Sequence, residues 1–244
     1  VRTETADALL RAVLPPWAVG AARADDVPGP LFAVERALCE GAGPRREGEF
    51  TTGRWCAHRA LVRLGESPVA VGRGPRGEPL WPPGVLGSIT HCPGFRGAAL
   101  CRAVPARALG IDAEVDAPLP ARVRDRLISR DEAGRMRPEV AGERLLFSAK
   151  EAAYKACSAL VGDGRVPRLA ELRILVEPGR HGPGTSGRFR VRVPALTVDL
   201  DGRHFEGRWK RSHGLVLTSC VILRPGTEVP TAWRPGTEVP TAQG

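Results

Sequence analysis

Glu143 to Leu160 reads ERLLFSAKEAAYKACSAL, an Ala- and Leu-rich run that is the clearest helix in the chain. Upstream of it, Ala108 to Val115 reads ALGIDAEV and alternates as a strand does. Working outward, short helices are expected at Arg122–Leu127 and Asp131–Arg137, with a loop over Val161–Pro167. Further strands are expected at Leu172–Val176, Gly187–Val193 and Leu196–Leu200, and a hairpin-like end at Trp209–Arg211 and Gly214–Leu223. Toward the N-terminus, Leu9–Leu14 precedes a turn at Pro15-Pro16. Leu31–Glu40 and Thr51–Leu64 read as helices, the second closed by Gly65 as a C-cap residue. A Gly/Pro-rich loop covers Val71–Gly87, and Ser88–His91 and Gly97–Val104 read as strands around a Pro-Gly turn. Each half mixes helices with a few strands. The expectation is an α+β chain of two similar-sized lobes, 1–107 and 108–223. Arg224–Ala232 and Arg234–Ala242 are identical copies of RPGTEVPTA. Two copies build no solenoid and offer little to bury, so 224–244 is expected to be a disordered tail.

Apolar residues make up 42% and charged residues 26% of the 244, ordinary for a globular protein. No stretch approaches the roughly 18 uncharged apolar residues of a membrane span. Val1–Ala21 carries Glu4, Asp7 and Arg11 and lacks a signal pattern, so a cytoplasmic location is expected. The six cysteines form no CxxC pair and no zinc spacing, and buried free thiols are expected. Of the 36 basic residues only Lys150, Lys155 and Lys210 are lysines. Two of them sit five residues apart, which hints that a compact ammonium is wanted there. A net charge of +9 favours an anionic partner without naming it.

Two clusters carry chemistry. In Gly110-Ile111-Asp112-Ala113-Glu114, strand alternation puts Asp112 and Glu114 on one face, where two carboxylates repel unless a cation or water satisfies them. Taken alone, they read as a solvated surface edge. In Phe147-Ser148-Ala149-Lys150-Glu151-Ala152-Ala153-Tyr154-Lys155, Glu151 and Lys155 share a helix face. Taken alone that is an ordinary surface ion pair, worth about 0.3–0.5 kcal/mol. It is also what a divalent ion and a pyrophosphate need together: a hard oxygen ligand and a neutralising cation.

In combination the two clusters are far more specific. A G-I-D-x-E strand followed by F-S-x-K-E-x-x-Y-K resembles the signature of the 4′-phosphopantetheinyl transferases. Trp81 to Cys92, reading WPPGVLGSITHC, resembles a segment of their enterobactin-synthetase branch, as do Arg54-Trp55-Cys56-Ala57 and Arg59-Ala60-Leu61. The resemblance spans residues 40 to 160 in the right order. It implies two pseudo-twofold-related α+β lobes with coenzyme A between them, acting as a monomer. It implies Mg²⁺, with Mn²⁺ as an alternative, held by Asp112, Glu114 and Glu151. It further implies Lys155 on the reacting phosphate and Glu151 as the candidate base for the carrier serine. Thr90 and His91 would meet the coenzyme A phosphates, and Arg46, Arg54 and Arg73 the nucleotide end. Arg73 stands where a lysine is common. Glu78 stands where some relatives carry a lysine, so phosphate contacts there fall to Arg73 or Arg76. The implied partner is an apo acyl or peptidyl carrier protein of secondary-metabolite or siderophore synthesis.

Rival patterns are weaker. Gly72-Arg-Gly-Pro-Arg-Gly77 matches GxGxxG, but Pro79, Pro82 and Pro83 forbid the helix a dinucleotide site needs. Cys92 beside His91 is expected to be a buried strand-end thiol rather than a catalyst. A non-catalytic nucleic-acid-binding protein is the alternative that net charge suggests. Scattered arginines and 5% aromatics provide no stacking ribbon for it.

Overall fold

A computed structural model describes residues 2–135, 142–161, 164–178, 186–193 and 205–227. The architecture is mixed helix and sheet, as expected. A first antiparallel sheet has three strands in the order β1 (Ala18–Arg23), β5 (Phe95–Arg102), β4 (Val85–Cys92). A second has five, in the order β6 (Ala106–Val115), β10 (Leu215–Leu223), β9 (Phe205–Ser212), β8 (Ser186–Arg192), β7 (Arg173–Pro178). A two-residue hairpin, β2 (Gly72–Arg73) with β3 (Pro79–Leu80), lies within the segment expected to be loop. The helices are α1 (Thr3–Val13), α2 (Ala33–Cys39), α3 (Pro44–Arg63), α4 (Ala121–Leu127), α5 (Arg130–Arg135) and α6 (Glu143–Val161).

Three apolar clusters explain the layering. Cys56, Ala57, Ala60 and Leu61 of α3 pack on Ala21, Ala98 and Leu100 of the first sheet. Leu145, Leu146, Ala149 and Ala153 of α6 pack on Phe189, Trp209 and Val216 of the second. Between the sheets, Leu9, Leu10 and Val13 of α1 close a third cluster with Phe95, Leu109, Ile111 and Leu217. Strand β6 is thus buried on both faces: Leu109, Ile111 and Ala113 meet the α1 layer, and Ala108 meets α6.

Two local features fix the elements around the site. α3 ends where Gly65 takes φ +83°, with Glu66 N–H donating to Leu61 O (2.9 Å) and Gly65 N–H to Val62 O (3.0 Å). This is the glycine-closed C-terminus the sequence suggested. At Gly110 the backbone of α6 lies directly against β6: a Cβ there would stand 2.0 Å from Ala152 O and 2.7 Å from Ala156 N.

Some expectations need correction. α3 starts at Pro44 rather than Thr51, because Pro44 at the first helical position opens a polar first two turns. β1 was not anticipated, since AVGAAR carries no polar alternation. The expected strand Leu196–Leu200, the end of the expected helix at Arg137 and most of 224–244 lie outside the described residues. Among the described residues no helix is long and apolar enough to cross a membrane.

Candidate active site

The two sheets meet along an unusual seam. β6 is an edge strand of its sheet, and its second edge is satisfied by side chains of β4 rather than by a backbone ladder. Ile111 N–H donates to Ser88 Oγ (3.1 Å) and Ala113 N–H to Thr90 Oγ1 (3.1 Å). The two hydroxyls are two residues apart, as are the two N–H groups. Asp112 lies between these anchors, is only 6% exposed, and accepts from Thr90 Oγ1 at 3.3 Å.

α6 supplies the opposing charge. Lys155 Nζ donates to Asp112 Oδ1 (2.8 Å) and Ile111 O (3.1 Å) and lies 3.4 Å from Thr90 Oγ1. Lys155 thus pairs across to β6, not with Glu151 one turn before it. Asp112 Oδ2 is buried and has no hydrogen-bond partner. An ionised carboxylate oxygen left bare in a protein interior is costly, which makes it a place for a cation or a ligand proton. Glu114 Oε2 accepts from Arg144 Nη1 at 2.9 Å. Burial pushes the Glu114 carboxyl above its ordinary value, helped by the charge of Asp112 and opposed by Arg144. Burial also raises Glu151, with Lys155 opposing and Asp112 adding to the effect. Burial and the charge of Asp112 thus both make Glu114 and Glu151 harder to ionise, an effect that further positive charge nearby would relieve.

The cleft beside them, about 290 Å³, is lined by Arg46 and Arg54 of α3, Arg73 of the β2–β3 hairpin, Thr90, His91, Asp112 and Lys155. Arg46 Nη1 lies 3.0 Å from His91 Nε2, and His91 Nδ1 lies 3.5 Å from Glu49 Oε2. Burial lowers the His91 pKa; Glu49 opposes, and Arg46 adds to the effect. A neutral ring with Nε2 accepting from Arg46 places its proton on Nδ1, toward Glu49. Arg54 is buried under Phe50, with its guanidinium carbon 4.5 Å from the ring centroid, and lies 3.8 Å from Glu35. Arg76 is not among the cleft-lining residues: its Nη2 donates to Gly164 O at 3.0 Å, tying the hairpin to the segment after α6.

Sequence comparison fits this geometry. The family description "4′-phosphopantetheinyl transferase N-terminal domain" matches residues 34–101. The chain is 43% identical over 232 residues to the 4′-phosphopantetheinyl transferase Svp of Streptomyces mobaraensis, covering 89% of this chain and 90% of that one. It is 38% identical to the transferase Npt of Nocardia iowensis, over 76% and 86% of the two chains. With the transferase PptT of Mycobacterium tuberculosis the identity is 38%, over 81% and 88%.

The chain belongs to the 4′-phosphopantetheinyl transferases.

Several parts of this transferase carry no clear mark in the sequence. Arg144 is one arginine among many. Glu35, fully buried, accepts from Phe32 N–H (3.0 Å), Val71 N–H (2.9 Å) and His58 Nε2 (2.9 Å), tying α2, α3 and the start of the hairpin into one wall of the cleft. Lys150 is also fully buried; its Nζ meets Glu132 Oε1 at 2.8 Å and Leu172 O at 2.6 Å, so it joins α6 to α5 and to the residue just before β7, and stands away from the cleft. The GxGxxG string forms the β2–β3 turn, with Gly74 N–H donating to Glu78 O (2.8 Å). All six cysteines are free thiols, Cys39 half-buried and the rest buried. Burial pushes Cys92 up to about 12, which leaves it unreactive beside His91.

Proposed function

We propose that the transferase moves the 4′-phosphopantetheine group of coenzyme A onto a serine of an apo acyl or peptidyl carrier protein of secondary-metabolite or siderophore synthesis. Adenosine 3′,5′-bisphosphate leaves. The observation that carries this is Asp112, with one carboxylate oxygen on Lys155 and the other buried and bare, at the head of an arginine-lined cleft.

The residues divide the work. Arg46, Arg54 and Arg73 hold the phosphates of the nucleotide end, and Thr90 and His91 bind nearer the pyrophosphate. Arg76 serves the hairpin that carries Arg73. Lys155 exchanges Asp112 for the reacting phosphate and neutralises charge that builds on it. Glu151 takes the proton of the carrier serine; burial raises its proton affinity, which makes it a stronger base than an exposed carboxylate. The serine Oγ–P bond forms as the P–O bond to the bisphosphate breaks. Asp112, Glu114 and Glu151 would hold Mg²⁺ or Mn²⁺, which supplies Lewis acidity at the phosphate oxygens. The bare Asp112 Oδ2 fits such a hard ion. Among the described residues no three acidic, His or Cys side chains are arranged to hold a metal ion. Mg²⁺ commonly completes its shell with waters and substrate phosphate oxygens, so the proposed ligand set would close only around bound coenzyme A. The reading includes a monomer with lobes meeting near residue 107, each sheet carrying its own long helix.

Incubating the protein with coenzyme A, Mg²⁺ and a panel of apo-carriers, read by intact mass, tests it. One phosphopantetheine should add to a carrier serine and fail to add with chelator. No mass gain on any carrier would sink the proposal. Thermal protection by oligonucleotides but not by coenzyme A would favour a nucleic-acid binder.

A further inference from the structure

Resting on that reading, we propose that Glu49 is a positioning residue for coenzyme A: it holds Arg46 and His91 toward one phosphate and lets His91 take up a proton when that phosphate draws Arg46 away. Glu49 lines the cleft beside Arg46, Arg54, Arg73 and Lys155, where a carboxylate repels the phosphates those cations would meet. Its contacts give it a use there. Arg45, Arg46 and Glu49 share a face of α3. Glu49 Oε1 accepts from Arg45 Nε at 3.1 Å, while Oε2 lies 3.8 Å from Arg46 Nη1 and 3.5 Å from His91 Nδ1. Arg46 Nη1 to His91 Nε2, at 3.0 Å, closes the triangle. The Glu49 side chain is 11% exposed, against 37% for His91 and 54% for Arg46. The anion therefore forms the base, and its two partners open outward. Burial works to raise the Glu49 carboxyl, but the Arg45 bond and the charges of His91, Arg45 and Arg96 hold it below the ordinary 4.5, so it is ionised at neutral pH.

Arginine only donates, so the bond from Arg46 occupies the Nε2 lone pair of a neutral ring. A phosphate oxygen accepts as well. It competes for the Arg46 donor and meets a bare lone pair at Nε2. One proton taken from solvent forms an Nε2–H bond that donates to the phosphate, and the imidazolium then lies between two anions, Glu49 at Nδ1 and the phosphate at Nε2. The other charged groups around the ring cannot replace Glu49. Arg54, Arg73 and Lys155 are cations, and Asp112 is already paired with Lys155. Arg96 of β5, opposite His91 in register, is committed to Asp26 Oδ2 (3.1 Å) and Cys92 O (3.1 Å).

Glu49→Gln keeps the shape and removes the charge, so the sign of its effect is diagnostic. A carboxylate that only repelled phosphate would leave tighter binding when neutralised; a positioning carboxylate leaves weaker binding. The test is calorimetric binding of coenzyme A to the full chain at pH 7, in two buffers of different ionisation enthalpy so that proton uptake is read as well. Glu49→Gln should bind about tenfold more weakly, the scale of one lost charged hydrogen bond, and take up fewer protons than wild type. Glu49→Asp, which keeps the carboxylate, should fall between. Equal or tighter binding by Glu49→Gln, or unchanged proton uptake, overturns this inference alone. If Glu49→Gln fails to fold, wild-type affinity and uptake in Glu49→Asp overturn it. A wild-type chain that does not bind coenzyme A overturns the proposed function as well.

Discussion

Replacing Gly110 by alanine adds one methyl at the closest approach of the two elements that build the site. The new Cβ would stand 2.0 Å from Ala152 O and 2.7 Å from Ala156 N, both backbone atoms of α6 that no rotamer change can move. A carbon–oxygen contact relaxes only near about 3.3 Å, so the helix must retreat from β6 by more than about 1 Å. Overpacking of this kind costs about 1–3 kcal/mol, and more when backbone must move. The Lys155–Asp112 contact, now 2.8 Å, would lengthen beyond hydrogen-bonding range. A misplacement of about 1 Å in a reacting site costs roughly 100-fold in rate. Gly110→Ala should therefore lose about two orders of magnitude in single-turnover transfer and melt several degrees lower. Gly134→Ala is the control, since a Cβ there meets nothing within 4 Å. It should be neutral or slightly stabilising in α5. Urea denaturation and single-turnover transfer on both variants decide the matter. A Gly110→Ala protein with wild-type melting and rate would show that β6 and α6 do not approach this closely.

Lys150→Ala leaves the Glu132 carboxylate buried without its cation; losing one partner of a buried pair costs about 3–5 kcal/mol. It should show as a large drop in urea midpoint. Lys150→Arg should also destabilise, because the site is filled, yet cost less catalytic rate in the folded protein than Lys155→Arg, as single-turnover assays would reveal. Burial would raise Glu35 and Glu132, but hydrogen bonds from His58 and Val71 in one case, and from Lys150 and Ile174 in the other, hold both below the ordinary 4.5. A depressed folded pKa means stability present above the unfolded value and lost as pH falls through the folded one. The urea midpoint should therefore drop progressively below about pH 4.5, less steeply in Glu35→Gln; equal slopes would remove Glu35 from the account. Finally, if the net charge of +9 steers the encounter with its carrier, the carrier KM should rise with sodium chloride, as screening shortens from about 10 Å at 0.1 M to about 3 Å at 1 M. A flat KM would mean that apolar contact selects the carrier.

What was legible in the sequence follows from which signals are local. α6 and β6 stood out because helix composition and strand alternation are carried by neighbouring residues. The common face of Asp112 and Glu114 came directly from that alternation. β1 was invisible because its small residues serve a partner far away in sequence: Val19 pairs opposite Leu100 and Ala21 opposite Ala98 of β5. Lys155 was expected beside Glu151 on helical spacing, but the Gly110 contact brings Asp112 nearer, and no local rule encodes that approach. Lys150 was marked by being a lysine among arginines. Its partner Glu132 was not, since a buried ion pair between α5 and α6 depends on tertiary packing. Arg144 could not be singled out in a chain where arginine is the usual cation.

The hydroxyl of Thr90 does three things at one atom: it accepts from Ala113 N–H, donates to Asp112 Oδ1, and lies within reach of the Lys155 ammonium. Two lone pairs and one proton on a single oxygen are what that requires, and among side chains of this length only serine and threonine supply them. Valine would keep the shape but strand the N–H of Ala113, and asparagine would split donor and acceptor between two atoms. Substitution at position 90 is therefore confined to a choice of two residues by the joining of the sheets alone, before any demand of catalysis is added.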